Sequence, residues 1–337
     1  MKSLSQWVEN IWWQQATPPI WLRAFEPIYA QISRRQLERR ASRSSHPALP
    51  LISVGNITAG GSGKTPFVIW LAGQLREAGH TPVILCRGDS GKSSSEPIQV
   101  LLDADPTQVG DEALLLAQQS GCTVISARDR IKASKVATGY GDIIILDDGF
   151  QYRHLARVCD IVLVPSEGLG NGHQIPAGPL REPVSALARA NLIVRTGPES
   201  SEPLTETKEW KWRAEPAGLH DAMRTGQIKP DTIFAATGIA RPYRFFEDLE
   251  STGLELSGTR TYPDHYRFTA SDVATLISSD QPVAVTQKDA VKLRRLWPED
   301  APLWVLSQHG AGETGLFEAI LGHLKKSSTT DRYHKAP

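Results

Sequence analysis

The sequence predicts an α/β protein built on a parallel sheet. From residue 51 onward, short apolar runs alternate with segments of helical periodicity, the pattern of strands joined by crossover helices. The first run leads directly into a glycine-rich loop and then a helical stretch. A polar interval after residue 196 separates one set of runs from a second, shorter set. The 337 residues, 40% of them hydrophobic, suffice for about two domains with a sizeable core.

Composition narrows the function classes. Lys plus Arg number 37, as do Asp plus Glu, so the net charge is zero and no nucleic-acid partner is implied. Cys86, Cys122 and Cys159 form no Cys-x-x-Cys pair and read as buried, reduced thiols. No apolar run approaches the ~18 residues of a membrane span. The opening MKSLSQWVENIWW carries Glu9 and polar residues where an export signal needs an apolar stretch.

Residues 1–46 stand apart. Trp7, Trp12, Trp13 and Trp21 crowd into them, and Leu4, Val8, Ile11 and Trp12 recur at helical spacing. After Pro18-Pro19 the periodicity resumes with Leu22, Phe25, Ile28, Tyr29 and Ile32. It ends in Arg34, Arg35, Arg39, Arg40 and Arg43 against Glu38 alone. Aromatic and aliphatic helix faces followed by arginines describe an interfacial helical segment lying on an anionic membrane surface.

Residues 47–196 hold strand candidates at 51–55, 82–86, 123–127, 142–148, 160–164 and 191–196. The interval 197–230 opens with GPESSEPLTETKE and reads as a linker. Residues 231–327 read as a smaller α/β domain with strands at 232–239, 282–287 and 302–307. The tail, 328–337, shows no packing pattern and reads as disordered.

The loop in SVGNITAGGSGKTP carries the first chemistry. The strict phosphate-loop rule asks for glycine at position 58, where this chain has Thr58. Context outweighs that departure. A compact strand precedes the loop, and Gly60, Gly61 and Gly63 permit close backbone approach to an anion. A helical stretch follows, with Pro66 suited to its first turn. Thr58, Ala59, Gly60, Gly61, Ser62, Gly63, Lys64 and Thr65 therefore read as a cradle for the phosphates of ATP, and the first domain as a P-loop NTPase-type fold. Lys64 is expected on the β- and γ-phosphates, and the Thr65 hydroxyl on Mg²⁺. The run DIIILDDGF ends in Asp147 and Asp148, either of which suits the metal side of such a site.

Three classes compete for such a site: a switch GTPase, an ATPase that moves a cargo, and a small-molecule kinase. Guanine specificity needs Asn-Lys-x-Asp, but Gln287-Lys288-Asp289 leaves no residue between lysine and aspartate. An ATPase with an extra lysine before the glycine pair needs it at 59, where Ala59 stands. A kinase is the reading that remains. An ATP-dependent enzyme on a soluble metabolite, of the dethiobiotin-synthetase kind, is the alternative.

The stretches VGNITAGGSGKTP, VGDEALLLA, ILDDGFQ, NGHQIPAGPLREP, ATGIARPYRFF, DHYRF and TQKDAVK lie in order from residue 54 to 292. In that combination the sequence resembles the tetraacyldisaccharide 4'-kinase family, the lipid A 4'-kinases of Gram-negative bacteria. The resemblance implies transfer of the ATP γ-phosphoryl group to the 4'-hydroxyl of a tetraacyldisaccharide 1-phosphate. It places the protein peripherally, at the cytoplasmic face of the inner membrane; no obligate protein partner is inferred. It implies Asp111 as base, His265 as its partner, and Arg181 and Glu182 near the reacting phosphate. Arg130 matches a further functional arginine, with Arg128 as the alternative. Two positions depart from the family pattern: Asp89 stands where a tyrosine is usual, and Tyr152 where a histidine is common, with His154 nearby.

Overall fold

The computed structural model describes residues 4–14, 16–88, 96–197, 203–278 and 281–333. Two helices open the chain, α1 (Leu4–Trp13) and α2 (Ile20–Ser42). The first sheet segment follows as β1 (Leu51–Gly55), α3 (Lys64–Glu77), β2 (Pro82–Cys86), β3 (Ile98–Gln99), α4 (Pro106–Val109), α5 (Asp111–Ser120), β4 (Thr123–Ser126), α6 (Arg130–Ala137), β5 (Ile143–Asp147), β6 (Cys159–Pro165), a 3-10 helix (Val184–Arg189) and β7 (Leu192–Thr196). The chain continues through β8 (Glu209–Asp221), β9 (Thr232–Thr237), α7 (Pro242–Ser251), β10 (Glu255–Thr261), α8 (Ala270–Ile277), β11 (Val283–Thr286), α9 (Gln287–Leu293), β12 (Trp304–Gly312) and α10 (Leu316–Tyr333).

All twelve strands among the described residues join one sheet, in the order β10-β9-β11-β12-β8-β7-β6-β1-β5-β2-β4-β3. Every neighbouring pair is parallel except β12 with β8 and β3 with β4. β1 lies between β5 and β6, with Val54 level with Asp147. The parallel register therefore brings the carboxyl ends of β1 and β5 to the same end of the sheet, the end where open α/β sheets bind ligands.

Burial alternates along the strands with period two. Ile52 and Val54 face a core built with Phe67, Val68, Leu71 and Leu75 of α3 and Leu116 of α5. Leu51, Ile144 and Leu146 face the opposite layer, closed by Ala133 and Ala137 of α6. On the far half of the sheet, Ile233 and Ala235 pack on Phe245 and Leu249 of α7. Val283 and Val285 pack on Val273 and Leu276 of α8 and on Leu293 of α9.

Two expected boundaries are corrected. The stretch 197–230, expected as a linker, contains the thirteen-residue strand β8. It pairs parallel with β7 through Glu209–Trp212 and antiparallel with β12 through Trp212–Asp221, so the two strand sets share one sheet. Its tryptophans hold it there: Trp212 is buried against Phe67 and Trp70. The tail expected to be disordered is helical through Tyr333, because α10 continues past its packed residues Leu316 and Ile320; residues 334–337 lie outside the described residues.

Candidate active site

The loop after β1 owes its shape to two glycines. Gly60 and Gly63 have φ of 98° and 76°, in the left-handed region, and Gly63 caps α3. Thr58 is not among the residues with positive φ, so its side chain costs the turn nothing. Asn56 Nδ2 donates to the Thr58 carbonyl at 2.8 Å and to its hydroxyl at 3.2 Å. The loop is also tied to a later segment: Ala59 N–H donates to the Pro179 carbonyl at 2.7 Å, and Arg181 N–H to the Ile57 carbonyl at 2.7 Å. Ser62 Oγ is buried without a hydrogen-bond partner, and the Ser62 carbonyl accepts from Thr196 Oγ1 at 3.0 Å. The first turn of α3, with Lys64 and Thr65, opens toward this loop, so backbone N–H groups and the helix dipole favour an anion there.

Lys64 Nζ donates to Asn56 Oδ1 at 3.4 Å and lies 3.5 Å from Asp148 Oδ1. Asp148 is held at φ 48°, and both its oxygens accept from Arg181 Nη1, at 3.2 and 3.1 Å. Burial alone would raise its pKa; Lys64, Arg181 and Arg130 overcome this and hold the carboxyl well below the usual carboxylate range. Asp147, one residue earlier, is pushed up to about 7 by burial and by the nearby Glu112, against the pull of Lys64. Its Oδ1 is buried and has no hydrogen-bond partner.

Arg130 opens α6 and is buried, with its guanidinium 4.8 Å from the centroid of the Tyr152 ring. Its charge acts on both Asp147 and Asp148. Arg128 is exposed. Of the two arginines, Arg130 is the buried one, and its charge acts on both aspartates. Tyr152 has local work of its own, since its hydroxyl also accepts the Arg130 N–H at 3.1 Å. Asp89 lies outside the described residues.

Glu182 is held by other partners than the aspartates named above. Its carboxylate is buried, paired with Arg189 at 2.9 Å and accepting from Gln151 Nε2 at 3.0 Å. Gln151 also donates to the Asn56 carbonyl at 3.0 Å, so Glu182 braces the loop through Gln151.

Asp111 is buried at the start of α5, and His265 Nδ1 lies 3.2 Å from its Oδ2. His265 sits at φ 57° in the loop between β10 and α8. The hydrogen bond to Asp111 raises the imidazole's pKa, against burial and Lys288, which lower it. Lys288 Nζ is 3.2 Å from His265 Nε2, 3.1 Å from Glu112 Oε1 and 3.5 Å from Asp264 Oδ1. Because Lys288 can only donate, His265 Nε2 accepts and Nδ1 carries the proton toward Asp111. The turn that displays Lys288 is fixed by Asp289, whose buried Oδ2 accepts from Thr237 Oγ1, Thr286 Oγ1 and the Gly238 N–H.

Sequence reasoning missed Glu112, Asp264 and Lys288. Glu112 adjoins Asp111, Asp264 adjoins His265, and Lys288 lay in a stretch weighed only as a guanine motif. Their meeting depends on α9 packing against α5, which no local pattern announces.

The arrangement offers an anion cradle, two aspartates of opposite proton affinity at its edge, and a buried carboxylate steered by an imidazole. Among the described residues, no three His, Cys, Asp or Glu side chains cluster as a metal cage.

Comparison with known proteins gives a consistent match. The family model described as Tetraacyldisaccharide-1-P 4'-kinase matches residues 19–325. The tetraacyldisaccharide 4'-kinase of Dechloromonas aromatica is 37% identical over 336 residues, covering 96% of this chain and 98% of that protein. The one from Nitrosococcus oceani is 40% identical over 258 residues, covering 73% of each. A crystal structure of LpxK from Aquifex aeolicus in complex with ATP superposes with a TM-score of 0.74 at 27% identity, covering 89% of this chain and 97% of that one.

Proposed function

The chain belongs to the tetraacyldisaccharide-1-P 4'-kinase family, and from the site geometry we infer which of its residues carry the reaction. It is an ATP-dependent kinase that phosphorylates the 4'-hydroxyl of a tetraacyldisaccharide 1-phosphate in lipid A biosynthesis. Family membership leaves the soluble-metabolite and switch-GTPase readings without support.

Residues 58–65 hold the ATP phosphates. Lys64 is the cation at the β- and γ-oxygens, and Arg181 neutralises charge that develops on the γ-phosphoryl group. Asp111 is the general base: it takes the 4'-hydroxyl proton as the sugar oxygen bonds to the γ-phosphorus. The bond from that phosphorus to the β,γ-bridging oxygen then breaks, and ADP leaves. His265 orients Asp111 through its Nδ1–H. Arg130 adds positive charge beside Asp147 and Asp148, and Glu182 is a positioning residue acting through Gln151.

The partnerless buried Oδ1 of Asp147, beside the strongly acidic Asp148, fits a divalent cation. Thr65, Asp147 and Asp148 would hold Mg²⁺, the nucleotide oxygens completing the few protein ligands this ion usually takes. Bound there, it would neutralise the β- and γ-phosphate oxygens.

The membrane seat is α2. No described helix is long and apolar enough to cross a membrane. Trp21, Phe25, Ile28 and Ile32 are each more than half exposed and share one face of α2. Such a face would rest on the anionic cytoplasmic surface of the bacterial inner membrane, where the lipid substrate lies.

The observation that carries the role assignment is the Asp111–His265 contact beside the Lys64–Asp148–Arg181 cluster. Transfer of labelled γ-phosphate from ATP to a tetraacyldisaccharide 1-phosphate tests it. Lys64→Ala is expected to nearly abolish transfer; turnover near wild type in that variant removes the cradle assignment.

A further inference from the structure

Helix α2 has a second face, and that face reaches the active site. Leu22, Glu26, Tyr29, Ser33, Leu37 and Arg40 recur at steps of four, three, four, four and three, so they line one side of the helix. Leu22 and Leu37 are buried there. The four polar members touch loops of the phosphate site. Glu26 Oε1 accepts the Gln174 N–H at 2.7 Å, and Oε2 accepts from His173 Nδ1 at 2.9 Å. Tyr29 Oη and Ser33 Oγ each donate to the Arg181 carbonyl at 3.4 Å. Arg40 Nη1 donates to the Gln151 carbonyl at 3.2 Å.

The segment from His173 to Arg181 is closed on itself. Leu180 N–H donates to the His173 carbonyl at 3.1 Å, and Ile175 N–H to the Leu180 carbonyl at 3.0 Å. Anchoring His173 and Gln174 therefore fixes Leu180 and, with it, the Arg181 backbone. The Arg181 side chain then reaches Asp148. Glu26 is the one α2 side chain that grips the start of this segment with two short, charge-assisted bonds. It lies in sequence between Phe25 and Ile28 of the exposed apolar face.

We propose that Glu26 is a positioning residue for Arg181, and that α2 links its exposed apolar face to the phosphate site through it. The inference rests on the role assigned to Arg181 above. Seating the outer face of α2 on a bilayer holds the helix in place. The inner face passes that order to residues 173–181. Misplacing a group that stabilises a transition state by ~1 Å can cost about 10²-fold. Removing Glu26 is thus expected to act on turnover, not on ATP affinity.

The test compares Arg181→Ala, Glu26→Ala, Glu26→Gln and the Glu26→Ala/Arg181→Ala double variant in the full chain. The assay is labelled phosphate transfer to the lipid acceptor. Sedimentation with phosphatidylcholine/phosphatidylglycerol vesicles and thermal melting are measured alongside. Expected are a fall in kcat of roughly 10- to 100-fold for Glu26→Ala, an ATP KM within about twofold of the parent, and unchanged sedimentation. Glu26→Gln is expected to lose less, since its amide oxygen still accepts the Gln174 N–H. Should Glu26→Ala fail to fold, Glu26→Gln carries the test with an expected loss of about threefold or more. The double variant is expected to be no slower than Arg181→Ala alone. If Arg181→Ala loses turnover while the Glu26 variants keep it, or if the losses are fully additive, the positioning role is wrong. A raised lipid KM with kcat preserved also overturns it. If Arg181→Ala itself turns over normally, the underlying assignment of Arg181 fails instead.

Discussion

At the scale of single residues, Asp111 and His265 form a pair whose behaviour is set by what surrounds it. Asp111 and Asp264 raise the pKa of His265, while burial and Lys288 lower it. Asp111→Asn removes the largest raising influence, so the imidazole should titrate at lower pH. Lys288→Met removes a neighbouring cation, so it should titrate at higher pH. Histidine Cε1–H NMR titration reads both; shifts of the same sign would mean that Lys288 does not face the ring. The sign for stability follows from the raised value. The protonated imidazole gains from Asp111, so this contribution is complete below the unfolded histidine value. It is lost as pH rises through the folded one. In catalysis, Asp111→Asn should lower turnover by roughly 10²–10⁴, the range for loss of a general base. ATP binding measured by calorimetry should remain, and lost ATP binding would make Asp111 a nucleotide ligand instead.

At the scale of elements, α2 sorts its arginines. Arg34 pairs with Glu38 at 2.8 Å, and Arg40 turns inward to Gln151. Arg35, Arg39 and Arg43 continue the spacing of Trp21, Phe25, Ile28 and Ile32, at steps of three and four, and so extend the exposed face. The tryptophans divide as well. Trp12 Nε1 donates to the Pro176 carbonyl at 3.1 Å, and Trp13 lies under Arg241 at 4.5 Å, so both pack on the protein. Trp21 is exposed, with Trp7 stacked on it at 6.3 Å. Each basic residue near an anionic surface contributes about 1 kcal/mol. Replacing Arg35, Arg39 and Arg43 by Gln should therefore weaken sedimentation with anionic vesicles. Replacing Arg34 and Arg40 should weaken it less. Equal effects would mean that the helix does not lie on this face. In the core, Leu71 of α3 is fully buried, and Leu71→Ala should cost about 2–5 kcal/mol in denaturant unfolding.

For the whole molecule, the continuous sheet matters most. β8 is hydrogen-bonded to β7 on one side and β12 on the other, so neither strand set ends at a free edge where they meet. A fragment beginning at residue 231 would expose the β12 edge that β8 covers, and unpaired edges invite aggregation. Such a fragment should be aggregated in size-exclusion chromatography, whereas one beginning at residue 203 retains β8 and should be more soluble. If the shorter fragment is a folded monomer, the smaller α/β unit is independent of β8. Contacts outside the sheet also join the two strand sets. Glu167, after β6, accepts from Arg241 at 2.5 Å and from Arg244 at 2.6 Å, residues that flank the start of α7. Gly61 of the phosphate loop leaves room for a Cβ only 3.8 Å from Ala240.

The sequence alone determined the α/β class, the strand, glycine loop and helix around Lys64, and the strand that ends at Asp147, with Asp148 just after it. Each rests on local physics: apolar runs buried on both faces, glycines at left-handed φ, and a helix N-terminus after a strand. It did not reveal β8, whose WKWRAEP mixes charge and proline, nor β10, an edge strand with mostly exposed residues. Those strands exist because neighbours pair with them, and in β8 because Trp212 is buried against α3; pairing between distant segments leaves no local period. The site divides along the same line. Lys64, Asp111 and Arg181 stand in legible motifs. That Lys288 meets His265, that Arg130 is buried with its charge acting on the aspartates while Arg128 is exposed, that Glu182 faces Arg189, and that Glu26 grips His173 were decided by tertiary packing. Each of these contacts joins elements whose approach is set by the core as a whole.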